Sequence, residues 1–270
     1  MHINYLSVMK HTKQQKMEAF GRLLDVMDTL REKCPWDRKQ TNESLRQNTI
    51  EEVYELTDAL LDDQPDEIKK ELGDVLLHIV FYSKIGEEKG DFDVADVANA
   101  LCDKLIYRHP HIYGEVKADS ADEVITNWEK LKLKEKGGNK TVLSGVPRSL
   151  PALIKAFRIQ DKAAGVGFDW EHREDVWAKV EEEYQEVFEA IKESDTAHIE
   201  EEFGDLLFAV INAARLYKVR PDNALERCNK KFIDRFTYVE KAATRTNRSI
   251  TDLSLQEMEA FWQEAKQHGL

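Results

Sequence analysis

The chain has 270 residues, 41% hydrophobic and 34% charged, with a formal net charge of −13. So acidic a chain is a poor general binder of DNA, RNA or anionic lipid, and any phosphate it holds needs metal cations or a local basic cluster. Three widely spaced cysteines, Cys34, Cys102 and Cys228, with no C-x-x-C, argue against a disulfide framework and a zinc site.

In chain order, Met17, Phe20, Leu23, Leu24, Met27 and Leu30 recur at i, i+3, i+4 spacing and predict a helix over 15–31. Further helices are expected at 43–61, 66–86, 93–107 and 121–135. After a break come 151–163, 173–193, 196–217, 222–243 and 255–267. Period-2 alternation is nearly absent, so the fold class is all-α. Pro65, Pro110, Pro151 and Pro221 fall at the expected helix edges. GGNK (137–140) and SGVPRSLP (144–151) suggest a linker at 137–150 between an N-terminal helical domain, 1–136, and a C-terminal one, 151–270. The N-terminus has no signal-peptide pattern. Runs such as VLLHIVFY are far shorter than the roughly 18 residues of a membrane span. A soluble, cytoplasmic protein is expected, with no membrane partner.

The two halves repeat. EEVYE (51–55) and EEYQE (182–186) lie 131 residues apart, and so do ELGD (71–74) and EFGD (202–205). Apolar runs follow both second motifs. Lys104 and Arg108 are four apart, as are Lys231 and Arg235. Ser120-x-x-Glu123 and Ser254-x-x-Glu257 read as capping boxes, each with a Trp eight residues after its Ser, Trp128 and Trp262. The chain reads as a tandem repeat of one helical-bundle unit.

Within each copy a short polar turn joins two helices, which must run antiparallel. E-x-x-E places two carboxylates on one face of the first helix and E-x-x-D two on the second. If those faces meet, four carboxylates converge: Glu52, Glu55, Glu71 and Asp74 in copy one, Glu183, Glu186, Glu202 and Asp205 in copy two. Such a cluster stays ionised only around a cation. Hard, all-oxygen donors suit Mg²⁺, Mn²⁺ or Ca²⁺. A single acidic motif of this kind is ordinarily a solvated face; the duplication is what raises it to a site. Gly73 and Gly204, beside the Asp, would permit close helix approach or serve plain packing. A di-iron bundle wants E-x-x-H pairs, which are missing, and no EF-hand loop is present. Lys104/Arg108 and Lys231/Arg235 are candidate phosphate clamps or surface pairs. Trp128 and Trp262 are candidate stacking partners for a base or core residues. No glycine-rich phosphate loop or nucleophile elbow occurs, so water is the expected nucleophile. Glu51 and Glu182, the outer acids, are candidates to activate it.

These motifs resemble the MazG family of nucleoside triphosphate pyrophosphohydrolases. CPWDRKQTNESL (34–45), EEVYELTDAL (51–60), KLIYRHPHIYG (105–114), GVPRSLPAL (145–153) and VGFDW (166–170) are similar to the two-domain bacterial members. The resemblance implies an all-α fold, a tight homodimer, Mg²⁺ dependence with Mn²⁺ as a substitute, and hydrolysis of nucleoside triphosphates to monophosphate and pyrophosphate. It also implies broad base tolerance and a role in nucleotide clearing or the stress response. The family's metal acids fall on the eight acids named above, its phosphate contacts on Lys231 and Arg235, and its base-side aromatic on Trp262. In two-domain members the C-terminal copy is usually taken as the working one, although both acid sets here are complete. The competing reading is a nucleotide-sensing protein that binds with little turnover.

Overall fold

The computed structural model describes residues 10–118, 120, 123–124, 127–128, 131 and 141–270. The chain divides into two compact units, Met1–Val116 and Lys117–Leu270. Among the described residues there are helices and turns and no strands.

In the first unit, α1 (Lys13–Lys33) starts at a capping box in which Thr12 and Gln15 satisfy each other's backbone N–H. Helix α2 (Asn42–Leu61) starts at a similar box, Thr41 with Ser44. Helix α3 (Pro65–Lys89) carries Pro65 at its N-terminus, where the missing N–H costs nothing, and stops at Gly90 with φ +73°. Helix α4 (Val94–Arg108) is capped by Asp93. Met27 from α1, Leu45 from α2 and Val80, Phe81 and Ile85 from α3 form the core. Each is essentially buried, a burial that contributes roughly 1.5–3 kcal/mol per large side chain. Ion pairs from Lys84 to Asp28 (2.6 Å) and from Arg31 to Glu88 join α1 to α3 at the core's edge.

The second unit has α5 (Ala152–Ala164), α6 (Val176–Glu193), α7 (Thr196–Leu216), α8 (Pro221–Arg245) and α9 (Leu255–Gln267). The expected helices agree with these to within a few residues; the one expected from 173 begins with a 3₁₀ turn, Arg173–Asp175, before α6. The expected helix 121–135 lies mostly outside the described residues, but Glu123, Val124, Asn127, Trp128 and Leu131 are helical, and the Glu123 N–H donates to Ser120 Oγ at 3.2 Å. Of the expected linker, 137–140 lies outside the described residues and Val142–Gly145 forms a 3₁₀ turn.

Each unit is organised around one antiparallel hairpin, α2/α3 or α6/α7. Their turns share a feature: Asp63 and Ser194, at equivalent places in the repeat, both have left-handed backbones, with φ 50° and 60°. The repeat therefore extends to the backbone conformation of the turn. Among the described residues no helix is long and apolar enough to cross a membrane.

Candidate active site

The hairpins bring the predicted acids together. In copy one, one carboxylate oxygen each from Glu52, Glu55 and Glu71 lies within 4.8 Å of the others; in copy two Glu183, Glu186 and Glu202 do the same. The two triads occupy identical positions in the repeat. Asp74 and Asp205, the fourth acids, stand outside these groups: aspartate is one methylene shorter than glutamate. Asp74 is still close enough to act electrostatically on Glu52.

Burial makes the crowding costly. Glu71 and Glu183 are 4% and 6% exposed. Burial, then the charges of Asp74, Glu55, Glu71 and Glu51, push the Glu52 carboxyl above the usual carboxylate range. Glu186 is also pushed up, chiefly by a hydrogen bond shared with Glu183, then by burial and the charges of Glu183 and Glu202. Carboxyl pKa values raised by neighbouring carboxylates are the electrostatic mark of a crowded acidic site without a cation.

Lysines supply part of the compensation. Lys70 Nζ donates to Glu71 Oε1 at 2.8 Å. Lys179 Nζ donates to Glu182 at 2.7 Å and lies 2.7 Å from a Glu183 oxygen, and the two carboxylates push its ammonium pKa up. The expectation that only a metal offsets these acids is corrected to that extent. Yet Glu71 Oε2 remains buried with no hydrogen-bond partner. That orphaned anionic oxygen, in an all-carboxylate donor set, fits a hard divalent cation.

Sequence reasoning missed His198. Its Nδ1 lies 3.0 Å from Glu193 Oε2 and its Nε2 3.1 Å from Glu202 Oε1. Glu193 foremost, with Glu202, pulls its pKa up, and in its protonated form the ring can donate to both carboxylates. Position 67, its equivalent in copy one, is Glu67, and Lys179 corresponds to Asn48. The copies therefore share the acids and differ in the cations around them.

The remaining candidates are dispersed. Arg235 sits over the Trp262 ring at 5.7 Å, and Phe232 packs on Trp262 at 5.0 Å and parallel to Phe236. Arg235 Nε donates to the Leu270 carbonyl at 2.8 Å. Among the described residues no hydrogen bond or ion pair links Lys231 or Arg235 to the copy-two triad. Lys104 is exposed, Arg108 and Trp128 half-buried, and Glu51 and Glu182 exposed. Gly73 and Gly204 have open space where a Cβ would be, so neither serves a close approach within its unit.

The family model described as "MazG nucleotide pyrophosphohydrolase domain" matches residues 40–113 and again 172–239, a little over half of the chain. The chain belongs to the MazG family. Both matches span a hairpin and its acid triad, so the MazG domain occurs twice. The chain is 43% identical over 250 residues (92% of it, 95% of the relative) to the Thermotoga maritima protein named nucleoside triphosphate pyrophosphohydrolase/pyrophosphatase MazG. It is 40% identical over 261 residues (94% of it, 99% of the relative) to the Escherichia coli K12 nucleoside triphosphate pyrophosphohydrolase. Bacillus subtilis YabN, named as uncharacterized, is 44% identical over 236 residues, 87% of this chain and 48% of YabN.

Proposed function

We propose that this MazG chain is a Mg²⁺-dependent nucleoside triphosphate pyrophosphohydrolase of broad base tolerance. One water cleaves the α–β phosphoanhydride, giving nucleoside monophosphate and pyrophosphate. The observation that carries the reading is the pair of equivalent carboxylate triads, each with one buried glutamate, and the Glu71 oxygen left unpaired in one of them. Relatives covering nearly the whole chain carry the pyrophosphohydrolase name.

In copy two, Glu183, Glu186 and Glu202 would hold the cation, with Asp205 one turn beyond Glu202; in copy one, Glu52, Glu55 and Glu71 with Asp74. Bound there, Mg²⁺ (or Mn²⁺) supplies charge neutralisation of the polyphosphate and a more acidic water. His198 orients Glu202, and Lys179 holds the Glu182 carboxylate beside the triad, where it can accept a proton from water. Lys231 and Arg235 offer charge to phosphate oxygens, and Trp262 a face to the base. Each half, 1–136 and 151–270, is taken as one domain around a linker at 137–150.

A homodimer accounts for an apolar stripe repeated in both copies. Leu72 and Ile79 on α3, and Phe203 and Val210 at the equivalent positions on α7, are all exposed. A cytoplasmic housekeeping role in clearing nucleotides fits an enzyme of this class.

Pyrophosphate release from the common triphosphates, with and without Mg²⁺, tests the reading. Glu183→Gln combined with Glu52→Gln is expected to lower turnover at least about a hundredfold. Undiminished release from that double variant would refute it. A second reading, in which copy one binds nucleotide with little turnover, is favoured by the replacement of Lys179 and His198 with Asn48 and Glu67. Glu52→Gln and Glu183→Gln assayed separately decide between them.

A further inference from the structure

The VGFDW segment takes no part in the acid site, yet it helps to wall a cavity of about 540 Å³ in the second unit. Phe168, Trp170 and Phe208 give the cavity aromatic sides; Gln160, Asn212 and Arg215 give it polar points. The size is that of a small-molecule site.

Three observations mark it as built. First, Phe168 is 84% exposed but is held in place. Its N–H donates to the Ala163 carbonyl at 3.1 Å, and the turn before it uses Gly167 at φ +91°. The next residue, Asp169, is gripped by both terminal nitrogens of Arg215, whose Nε donates to Asn212 Oδ1 at 3.0 Å. The fixed backbone anchors an exposed aromatic side chain at the cavity's edge, where its face is available for stacking. Second, Gln160 is 6% exposed, and its Nε2 donates to the Phe208 carbonyl at 2.8 Å. A carbonyl only accepts, so the nitrogen end of the amide is fixed there. The Oε1 is left buried with no hydrogen-bond partner, a cost that an N–H donor in the cavity would offset. Third, the cation on the wall, Arg215, is already committed to Asp169. The cavity therefore offers flat apolar faces and an unpaired acceptor, but no spare charge for a phosphate.

We propose that this cavity is a second binding site, for a neutral, planar heteroaromatic ring bearing an N–H donor: a nucleobase or nucleoside. It is separate from the triad. Phe208 and Asn212 lie six and ten residues beyond Glu202 on α7, which places them about 120° and 80° around the helix and about 9 and 15 Å along it. The acids face α6, whereas Gln160 reaches α7 from α5. The inference does not depend on the pyrophosphohydrolase reading, because the ring class follows from the lining alone and the probe carries no phosphoanhydride.

Calorimetry on the full chain in chelator, with adenosine and with purine riboside (the same ring system without the amino group), tests it. Saturable adenosine binding is expected, with purine riboside weaker. Phe168→Ala, at an exposed position that leaves the fold intact, is expected to weaken adenosine about tenfold, the loss typical of one stacked base. Gln160→Leu should erase the difference between the two ligands, and Trp262→Ala should change neither. Absence of saturable adenosine binding would overturn the proposal. So would binding indifferent to Phe168→Ala, or binding lost in Trp262→Ala, which would place the nucleoside with the substrate's base. Pyrophosphate release is assayed in parallel, so failure of the enzymatic reading is seen independently.

Discussion

Replacing Glu71 by Gln separates a metal centre from an ordinary ion pair, because the two accounts give opposite signs. In the cation-free protein Glu71 has one favourable partner, Lys70, whose side chain is 61% exposed. An ion pair with so exposed a partner contributes about 0–1 kcal/mol. Against it stand Glu52 and Glu55, with oxygens within 4.8 Å. Each like-charge pair at that separation costs about 1 kcal/mol in water and about 3.5 kcal/mol at an effective dielectric of 20. Glu55 is exposed and belongs near the lower figure. Repulsion therefore wins, and Glu71→Gln should stabilise the cation-free protein by roughly 1–3 kcal/mol, raising Tm by about 2–4 °C for each kcal/mol. With Mg²⁺ the variant's advantage is offset. A cation at a hundred times its Kd stabilises the wild type by about 2.7 kcal/mol through mass action, and the variant has lost that ligand. Thermal melts in chelator and in millimolar Mg²⁺, followed by circular dichroism, read both effects. A Glu71→Gln protein that melts lower in chelator, or keeps the full Mg²⁺ shift, would refute the reasoning.

Gly204→Ala should raise stability by about 0.5–1 kcal/mol, since the glycine is helical and a methyl meets nothing; a lower Tm would place another surface against it. Ser194→Gly should raise Tm by about 1–3 °C by relieving a left-handed serine, the gain in strain exceeding glycine's entropic cost. Glu257 is held down at about 2, first by Arg248 and then by the Ser254 cap. A depressed carboxylate contributes stability above its unfolded value, about 4.5, and loses it as pH falls toward 2. The Tm difference between wild type and Glu257→Gln should be constant above pH 5 and vanish near pH 2; a difference that persists there would contradict the assignment.

The helices were legible because their signals are local. Met17 through Leu30 repeat at helical spacing, Pro65 and Pro221 mark first turns, and Ser254 with Glu257 forms the expected box. The acid triads were legible because the repeat printed the same spacing twice. Lys179 was readable as an i, i+4 partner of Glu183 and was overlooked because the parallel segment has Asn48. His198 required knowing that Glu193, beyond the turn, folds back toward Glu202. The glycines beside the two aspartates suggested close contact, but whether another side chain packs there depends on the tertiary arrangement, which sequence spacing does not encode. The cavity around Phe168 joins residues from 143 to 215, and its unpaired Gln160 oxygen depends on a rotamer.

The left-handed turns at Asp63 and Ser194 act as rulers. Each fixes how many residues separate the acids on one helix from those on the next, and a helix converts that number into an angle. One residue inserted between Ser194 and Glu202 would swing the second ladder of acids by about 100° and slide it by about 1.5 Å, dissolving the triad while every glutamate stayed in the chain. In this protein, length between the acids determines the triad as much as the acids themselves.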